Sequence, residues 1–326
     1  MLGRDLDAGA LAFLQQGYRN NWQQYLRSLE SSRPPVSHWD ICVLTASNDR
    51  QADAYEAQLQ VRRDAGLLPP NTDFRVVADP EGLRIGSGGA TLRVLSMLAS
   101  EATQPADSGS APRDAVGRAD KRILIIHSGG DSRRLPHCSA MGKLFARIPH
   151  ELPDGRASTL FDEFLVSLTG LPGQIPGGVL VASGDVLLFF DHLQLAFGRS
   201  GITGVSIATS AEIGTHHGVY VTEAASRRVR QFLHKPSLRR LREADALQAD
   251  GRVLVDTGLV WMDSASIDKA RKIWEQMGDL VERRTTINLY GDLLAPLAGQ
   301  ADLDLYLQYG GDGRPTPSLR RARHAV

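Results

Sequence analysis

The chain has 326 residues, 42% of them hydrophobic, and its 37 basic and 37 acidic residues cancel. That length can bury a substantial core in one large domain or two small ones, while the balanced charge argues against nucleic acid or an anionic membrane as partner and leaves basic groups to act locally. Cys42 and Cys138 are the only cysteines, too few for a disulfide framework or a zinc site. Met1 to Glu30 is too polar for a signal peptide and no apolar run approaches the roughly 20 residues of a membrane span, so the cytosol is the expected compartment.

In chain order, Asp5 to Glu30 reads as a helix that Pro34 and Pro35 stop, making residues 1–36 an N-terminal helical extension. Ile41 to Thr45 is a strand containing Cys42, whose expected role is that of a small core hydrophobe. Asn48 can cap the next helix, where Ala52, Tyr55, Leu59 and Arg62 recur at helical spacing before Gly66 ends it. Phe74 to Ala78 makes another strand, followed by a glycine turn at Gly86, Ser87, Gly88 and Gly89 and a short helix from Thr91. That turn could approach a nucleotide through its backbone, and equally could serve close strand-to-helix packing. Residues 101–120, rich in Ala, Ser, Asp, Gly and Pro, read as a linker or insertion.

The central segment is RILIIHSGGDSRRLPHCSAMGKLFARIP, from Arg122 to Pro149. Ile123, Leu124, Ile125 and Ile126 suit a strand buried on both faces of a parallel sheet, and a ligand loop is expected at its carboxyl end. Ser128, Gly129, Gly130, Asp131 and Ser132 form a turn whose amides can receive phosphate oxygens. Arg133, Arg134 and Lys143 add the positive charge that a polyphosphate requires. A P-loop is excluded, because His137 stands where its first glycine belongs and Leu144 where its Ser or Thr belongs. The glycines also miss the dinucleotide-binding spacing.

Downstream, Thr159 to Leu168 reads as a helix and Gly178 to Ala182 as a strand. Asp185 follows that strand and Gly184, so its carboxylate should project into the cleft where open α/β sheets bind ligands. Short strands are expected at Gly204 to Ala208, Gly218 to Val221, Val229 to Leu233 and Val253 to Met262, with helices near Ser266 to Met277 and Thr285 to Leu297. His216 and His217 lack a third ligand at metal spacing and read as a polar turn. Residues 301–326, with a basic RRARH run, look like a tail. The alternation predicts an α/β, three-layer, Rossmann-like domain over residues 37–300, with a mostly parallel sheet.

The Gly129, Gly130, Arg134, Leu135, Pro136 and Lys143 pattern resembles the signature loop of sugar nucleotidyltransferases, with Gly142 in place of the usual proline before the lysine. The blocks Trp39 to Tyr55, Asp79 to Leu95 and Val181 to Phe190 are similar to the GDP-L-fucose pyrophosphorylase family, including the pyrophosphorylase half of bifunctional fucokinases. This resemblance covers most of residues 37–300. It implies a nucleotide-diphospho-sugar transferase fold of the GT-A-like kind, GTP and fucose 1-phosphate as substrates, and magnesium as cofactor. It assigns Asp185 to magnesium and Lys235, in QFLHKP, to the sugar phosphate, although His234 replaces the family's glutamate. Asp256 and Asp292 are weaker candidates for a second carboxylate and could equally be capping residues; Asp292 is the one grouped with Asp185 as a metal ligand. The family's domain normally continues into a C-terminal β-helix, so a β-helix or kinase portion outside the chain is an expected partner. A noncatalytic nucleotide-sugar-binding fragment is the alternative. A kinase is disfavoured because the ATP loop of the fused relatives is absent.

Overall fold

The structure, a computed structural model, describes residues 8–30, 37–103, 121–127, 138, 142–198, 200–281 and 286–299. In chain order its elements are α1 (Ala8–Leu29), β1 (Ile41–Ala46), α2 (Asp49–Asp64), β2 (Asp73–Ala78), α3 (Gly86–Thr103), β3 (Arg122–His127), β4 (Arg147–Glu151), β5 (Ala157–Thr159), α4 (Leu160–Leu168) and β6 (Gly178–Ser183). There follow β7 (Ile202–Thr209), α5 (Ala211–Gly214), β8 (Gly218–Thr222), β9 (Val229–His234), α6 (Leu238–Glu243), β10 (Val253–Met262) and α7 (Ser264–Val281). Two compact units divide the chain. One comprises Met1–Gly82, Val116–Thr203 and Trp261–Ser266, the other Leu83–Ala115, Gly204–Val260 and Ile267–Val326.

The first unit is built on a parallel sheet in the order β2, β1, β3, β6, flanked by helices in the Rossmann-like manner. All six residues of β1 and five of the six in β3 are buried, as expected of strands covered on both faces. Removing each of Ile123, Leu124, Ile125 and Ile126 from water stabilises the fold by roughly 2 kcal/mol. Cys42 lies in this core at 1% exposure, and burial pushes its thiol pKa up, which keeps it an inert hydrophobe. Asn48 caps α2 as expected, its side chain accepting the Gln51 N–H. Thr159 and Asp162 form a capping box on α4. The β4–β5 hairpin was not expected, because its second strand is only three residues long and carries no readable periodicity.

In the second unit β10 pairs antiparallel with β8, and β8 pairs antiparallel with β9. Val219, Val221, Leu233, Leu241, Val253 and Val255 form its buried cluster. Two expectations are corrected here. The helix expected from Thr91 begins at Gly86, so the glycine turn is its first turn. The carbonyl of Ile287 accepts the N–H groups of Gly88 at 2.8 Å and Gly89 at 3.3 Å, supplying the acceptor that a helix start lacks. The helix expected over Thr285 to Leu297 is instead an extended entry at residues 286–288, a π-helical turn at Leu289–Leu294 and a 3-10 turn at Ala295–Leu297. Asn288 diverts the backbone there, its side chain accepting from both Tyr290 N and Gly291 N. Among the described residues no helix is long and apolar enough to cross a membrane. Residues 104–120 of the expected linker and 301–326 of the expected tail lie outside the described residues.

His127, the last residue of β3, is buried with its Nδ1 at 3.1 Å from the Thr45 hydroxyl, and burial lowers its pKa to about 4. The folded chain thus keeps His127 neutral in a range where an unfolded histidine, with a pKa near 6.5, already binds a proton. Stability contributed by the neutral ring is therefore present above about pH 6.5 and is lost as pH falls toward about 4. We expect the urea midpoint to decline over that window and His127→Gln to remove part of the decline. An identical pH profile in the variant would contradict this.

Candidate active site

The carboxyl ends of β3 and β6 are knitted together at one point. His127 and Ser183 are register partners, and the Gly184 N–H donates to the His127 carbonyl at 2.8 Å. A Cβ on Gly184 would run into that carbonyl oxygen, so only glycine permits the approach. The candidate phosphate segment therefore leaves the sheet at His127, directly beside the strand that delivers Asp185. Ser128, Gly129, Gly130, Asp131, Ser132, Arg133 and Arg134 themselves lie outside the described residues.

Lys143 rejoins the described chain and faces Asp185, with Nζ 3.4 Å from Oδ2. The Asp185 side chain is 37% exposed and the Lys143 side chain 17%. A partly exposed pair of this length contributes about 0–1 kcal/mol. Two residues 42 positions apart are thus brought together just past the carboxyl end of β6.

A rigid support holds Lys143. Gly142 adopts φ +70°, which proline cannot reach, and this accounts for the departure from the usual proline at that position. A side chain on Gly142 would collide with the Tyr55 hydroxyl. Leu144 is fully buried and its carbonyl accepts the Phe161 N–H at 2.8 Å, while Phe145 meets Tyr55 edge-on at 5.1 Å. Behind Phe145 lies the guanidinium of Arg62, 4.9 Å from the ring centroid. Arg62 donates to both carboxylate oxygens of Asp162, at 2.8 and 3.0 Å, and to the Thr159 hydroxyl at 3.2 Å. Sequence reasoning placed Arg62 in a helical stripe and missed this function, since its acidic partner lies 100 positions away.

The other candidate residues belong to the second unit. Gly86, with φ +77°, and Gly88 press against the backbone of Ile287, and the Ser87 hydroxyl accepts the Leu289 N–H at 3.1 Å. The close packing here is against the irregular segment at Ile287 and not the strand-to-helix packing weighed for the turn, and the Gly88 and Gly89 amides are engaged by protein. The same contact brings the turn to the segment carrying Asp292, whose Oδ2 accepts the Asn288 N–H at 2.7 Å. Lys235 follows β9 in a left-handed conformation, φ +45°, with its N–H donated to the His217 carbonyl at 2.9 Å. Strain of this kind in a non-glycine residue gathers at functional positions. The Lys235 side chain is exposed, and among the described residues it has no acidic partner. Asp256 accepts from the Tyr220 hydroxyl at 2.9 Å, and its burial raises its pKa to about 6. Among the described residues no three of His, Cys, Asp and Glu gather as a metal site, His216 and His217 included. Magnesium needs only one or two carboxylates when phosphate oxygens and water complete its shell, and the exposed Asp185 fits that requirement.

The parallel sheet, with an acid and a lysine meeting at its strand ends, defines an α/β protein of the Rossmann-like class. Residues 118–326 match the fucose pyrophosphorylase domain, and the chain belongs to that family. It is 32% identical over 304 residues to the bifunctional fucokinase/GDP-fucose pyrophosphorylase of Arabidopsis thaliana, an alignment covering 85% of this chain and 28% of that protein. It is 29% identical over 290 residues to the fucose-1-phosphate guanylyltransferase of Mus musculus (79% of this chain, 46% of that protein) and 28% identical over 297 residues to that of Homo sapiens (82% and 46%). The chain spans less than half the length of each of these relatives.

The support for Lys143 is open to a direct test. Arg62→Ala leaves the Asp162 carboxylate buried without its guanidinium, and it should destabilise the fold by about 3–5 kcal/mol. Urea denaturation measures this. A loss below about 1 kcal/mol, the range of an exposed pair, would refute the buttress.

Proposed function

We propose that the chain is a sugar-1-phosphate nucleotidyltransferase that joins L-fucose 1-phosphate and GTP to give GDP-L-fucose and pyrophosphate, with magnesium as cofactor and the cytosol as compartment. The observation that carries this reading is the Lys143 ammonium 3.4 Å from the Asp185 carboxylate, beside the strand from which the Gly-Gly and Arg-Arg segment departs. Support for the particular substrates comes from family membership and from the names of the Arabidopsis, mouse and human relatives.

In this reaction an oxygen of the sugar phosphate forms a bond to the α-phosphorus of GTP. The bond from that phosphorus to the bridging oxygen of the β-phosphate breaks, and pyrophosphate leaves with the electron pair. A phosphate monoester has its second pKa near 6 and is already anionic at neutral pH, so no general base is required. The residues have to align two anions and neutralise charge on the nonbridging and leaving oxygens. In this proposal Arg133, Arg134 and Lys143 hold the triphosphate, and Lys235 holds the sugar phosphate. Gly86 to Gly89 and Ser128 to Ser132 contribute backbone contacts to the nucleotide. Asp185 is the residue that would hold magnesium, with Asp292 as the second candidate; bound there, the metal supplies Lewis-acid neutralisation of phosphate oxygens. The Lys143–Asp185 arrangement prepares this chemistry, because each partner is the counter-charge that a metal–triphosphate complex would replace.

A second reading is favoured by one fact, the share of 28% to 46% of the relatives' length that the chain spans. Under it the chain is a nucleotide-sugar-binding portion that needs a further part, such as a β-helix or a kinase portion, for turnover. A panel assay separates the two. Each nucleoside triphosphate is combined with fucose, mannose or glucose 1-phosphate and magnesium, and pyrophosphate release is scored. GTP with fucose 1-phosphate should give the highest rate; nucleotide binding without release from any pair would favour the second reading. Lys143→Ala and Asp185→Asn should each lower kcat for GDP-L-fucose pyrophosphorolysis by about a hundredfold, comparable to losing one preorganised charge contact. Full turnover in a folded Lys143→Ala protein would remove that lysine from the mechanism.

A further inference from the structure

The segment that carries Asp185 has no regular structure of its own. Residues 185–191, between β6 and a 3-10 turn at His192–Gln194, form neither helix nor strand, so tertiary contacts must set where the carboxylate stands. At its start the segment is fixed by the Gly184–His127 junction. Further along, the Ser167 hydroxyl of α4 donates to the Leu188 carbonyl at 3.1 Å. Lys143 pairs with Asp185 and the His150 ring meets Phe189 at 6.2 Å, and a further set of anchors comes from the N-terminal helix α1.

On α1, Gly17, Tyr18, Asn20 and Asn21 fall at i, i+1, i+3 and i+4 and therefore share a face. Asn21 is 1% exposed, and its side chain makes one contact with the segment and two with His192 directly after it. Its Nδ2 donates to the Phe190 carbonyl at 2.6 Å, and its Oδ1 accepts the His192 N–H at 3.2 Å and lies 2.6 Å from His192 Nδ1. Asn20 Nδ2 donates to Asp191 Oδ2 at 2.9 Å, and the Tyr18 ring packs against Phe189 at 5.9 Å. Gly17 is the informative residue. Glycine inside a helix costs about 1 kcal/mol relative to alanine, yet a Cβ there would lie 2.9 Å from the Asp191 Cβ and 3.1 Å from its backbone nitrogen. Helix propensity is given up so that the segment can lie directly on the helix backbone.

We propose that α1 is a clamp on the segment bearing Asp185 and that Asn21 is a positioning residue for nucleotidyl transfer, acting through that segment and touching no substrate. The inference rests on the transferase reading for the role of Asp185, while the clamp itself is a property of the fold. It adds the helix before residue 37 to the machinery, well outside the residues 118–326 that match the family.

The test uses the full chain with three variants. Asn21→Ala removes three contacts, Gly17→Ala strengthens the helix while pushing the segment away, and Gln23→Ala changes an exposed position on α1 as a control. Amide hydrogen exchange over residues 186–192 should accelerate about tenfold or more in the first two and not in the third. In the GDP-L-fucose assay kcat should fall roughly ten- to hundredfold, as expected when a reacting group is misplaced by about 1 Å, while the KM for GTP changes less than about threefold. Gly17→Ala guards against an unfolding artefact, since a purely structural role for α1 would leave this helix-favouring variant as active as wild type. Unchanged exchange in both Asn21→Ala and Gly17→Ala overturns the clamp. Accelerated exchange with wild-type kcat overturns the positioning role. If wild type itself makes no GDP-L-fucose, the transferase reading and the positioning role built on it fall, and the exchange measurement alone decides the clamp.

Discussion

The arrangement depends on how closely two parallel strands approach at their carboxyl ends. The Gly184 N–H reaches the His127 carbonyl because position 184 has no side chain, and this contact lets the Ile-rich strand release its glycine segment beside the strand that releases Asp185. Strand ends in an open α/β sheet are the default place for ligands. At this end a cation and a partly exposed acid meet. A buried lysine–aspartate pair would be costly to separate, whereas Asp185 here is 37% exposed and its ion pair with Lys143 is long, at 3.4 Å.

Buried polar interactions are found one layer behind the site. Arg62 and Asp162 are both about 10% exposed, form a two-pronged pair, and are covered by Phe145 and Phe161. Through Phe145 and the fully buried Leu144 this pair fixes the turn that presents Lys143. On the acidic side, Asn21, Asn20 and Gly17 of α1 contact the stretch at Phe190 and Asp191, after Asp185. Lys143 and Asp185 are thus each backed by hydrogen-bonded polar side chains one layer further in, an arrangement that narrows the geometry of both groups.

In the second unit a different device recurs. Ile287 uses one carbonyl to accept two amides of the Gly86 to Gly89 turn, and Asn288 and Asp292 then cap the π-helical turn that follows. Nearby in the same unit, Asp256 lies against Tyr220, whose ring meets Phe232, which in turn stacks on Tyr290 of the π-helical turn. π-helical turns are rare and are frequently found at functional sites, and here the turn carries Asp292.

By itself the amino-acid sequence determined the features that rest on local rules. These are the doubly buried strand at Ile123 to Ile126, the Asn48 cap, the helix opened by Thr159, the strand delivering Asp185, and, through several ordered blocks, the family. The elements follow from spacing and side-chain type within about a dozen residues, the range over which periodicity and capping operate, while the family follows from the order of the blocks. Only tertiary structure decided that Lys143 meets Asp185, that Arg62 belongs with Asp162, that α3 starts at Gly86 because Ile287 supplies its missing acceptor, and that α1 grips the chain at Asp191. These contacts join residues 42 to 199 positions apart. Their partners are chosen by sheet register and by the absence of a Cβ at Gly17, Gly142 and Gly184, where backbone approaches would otherwise be blocked.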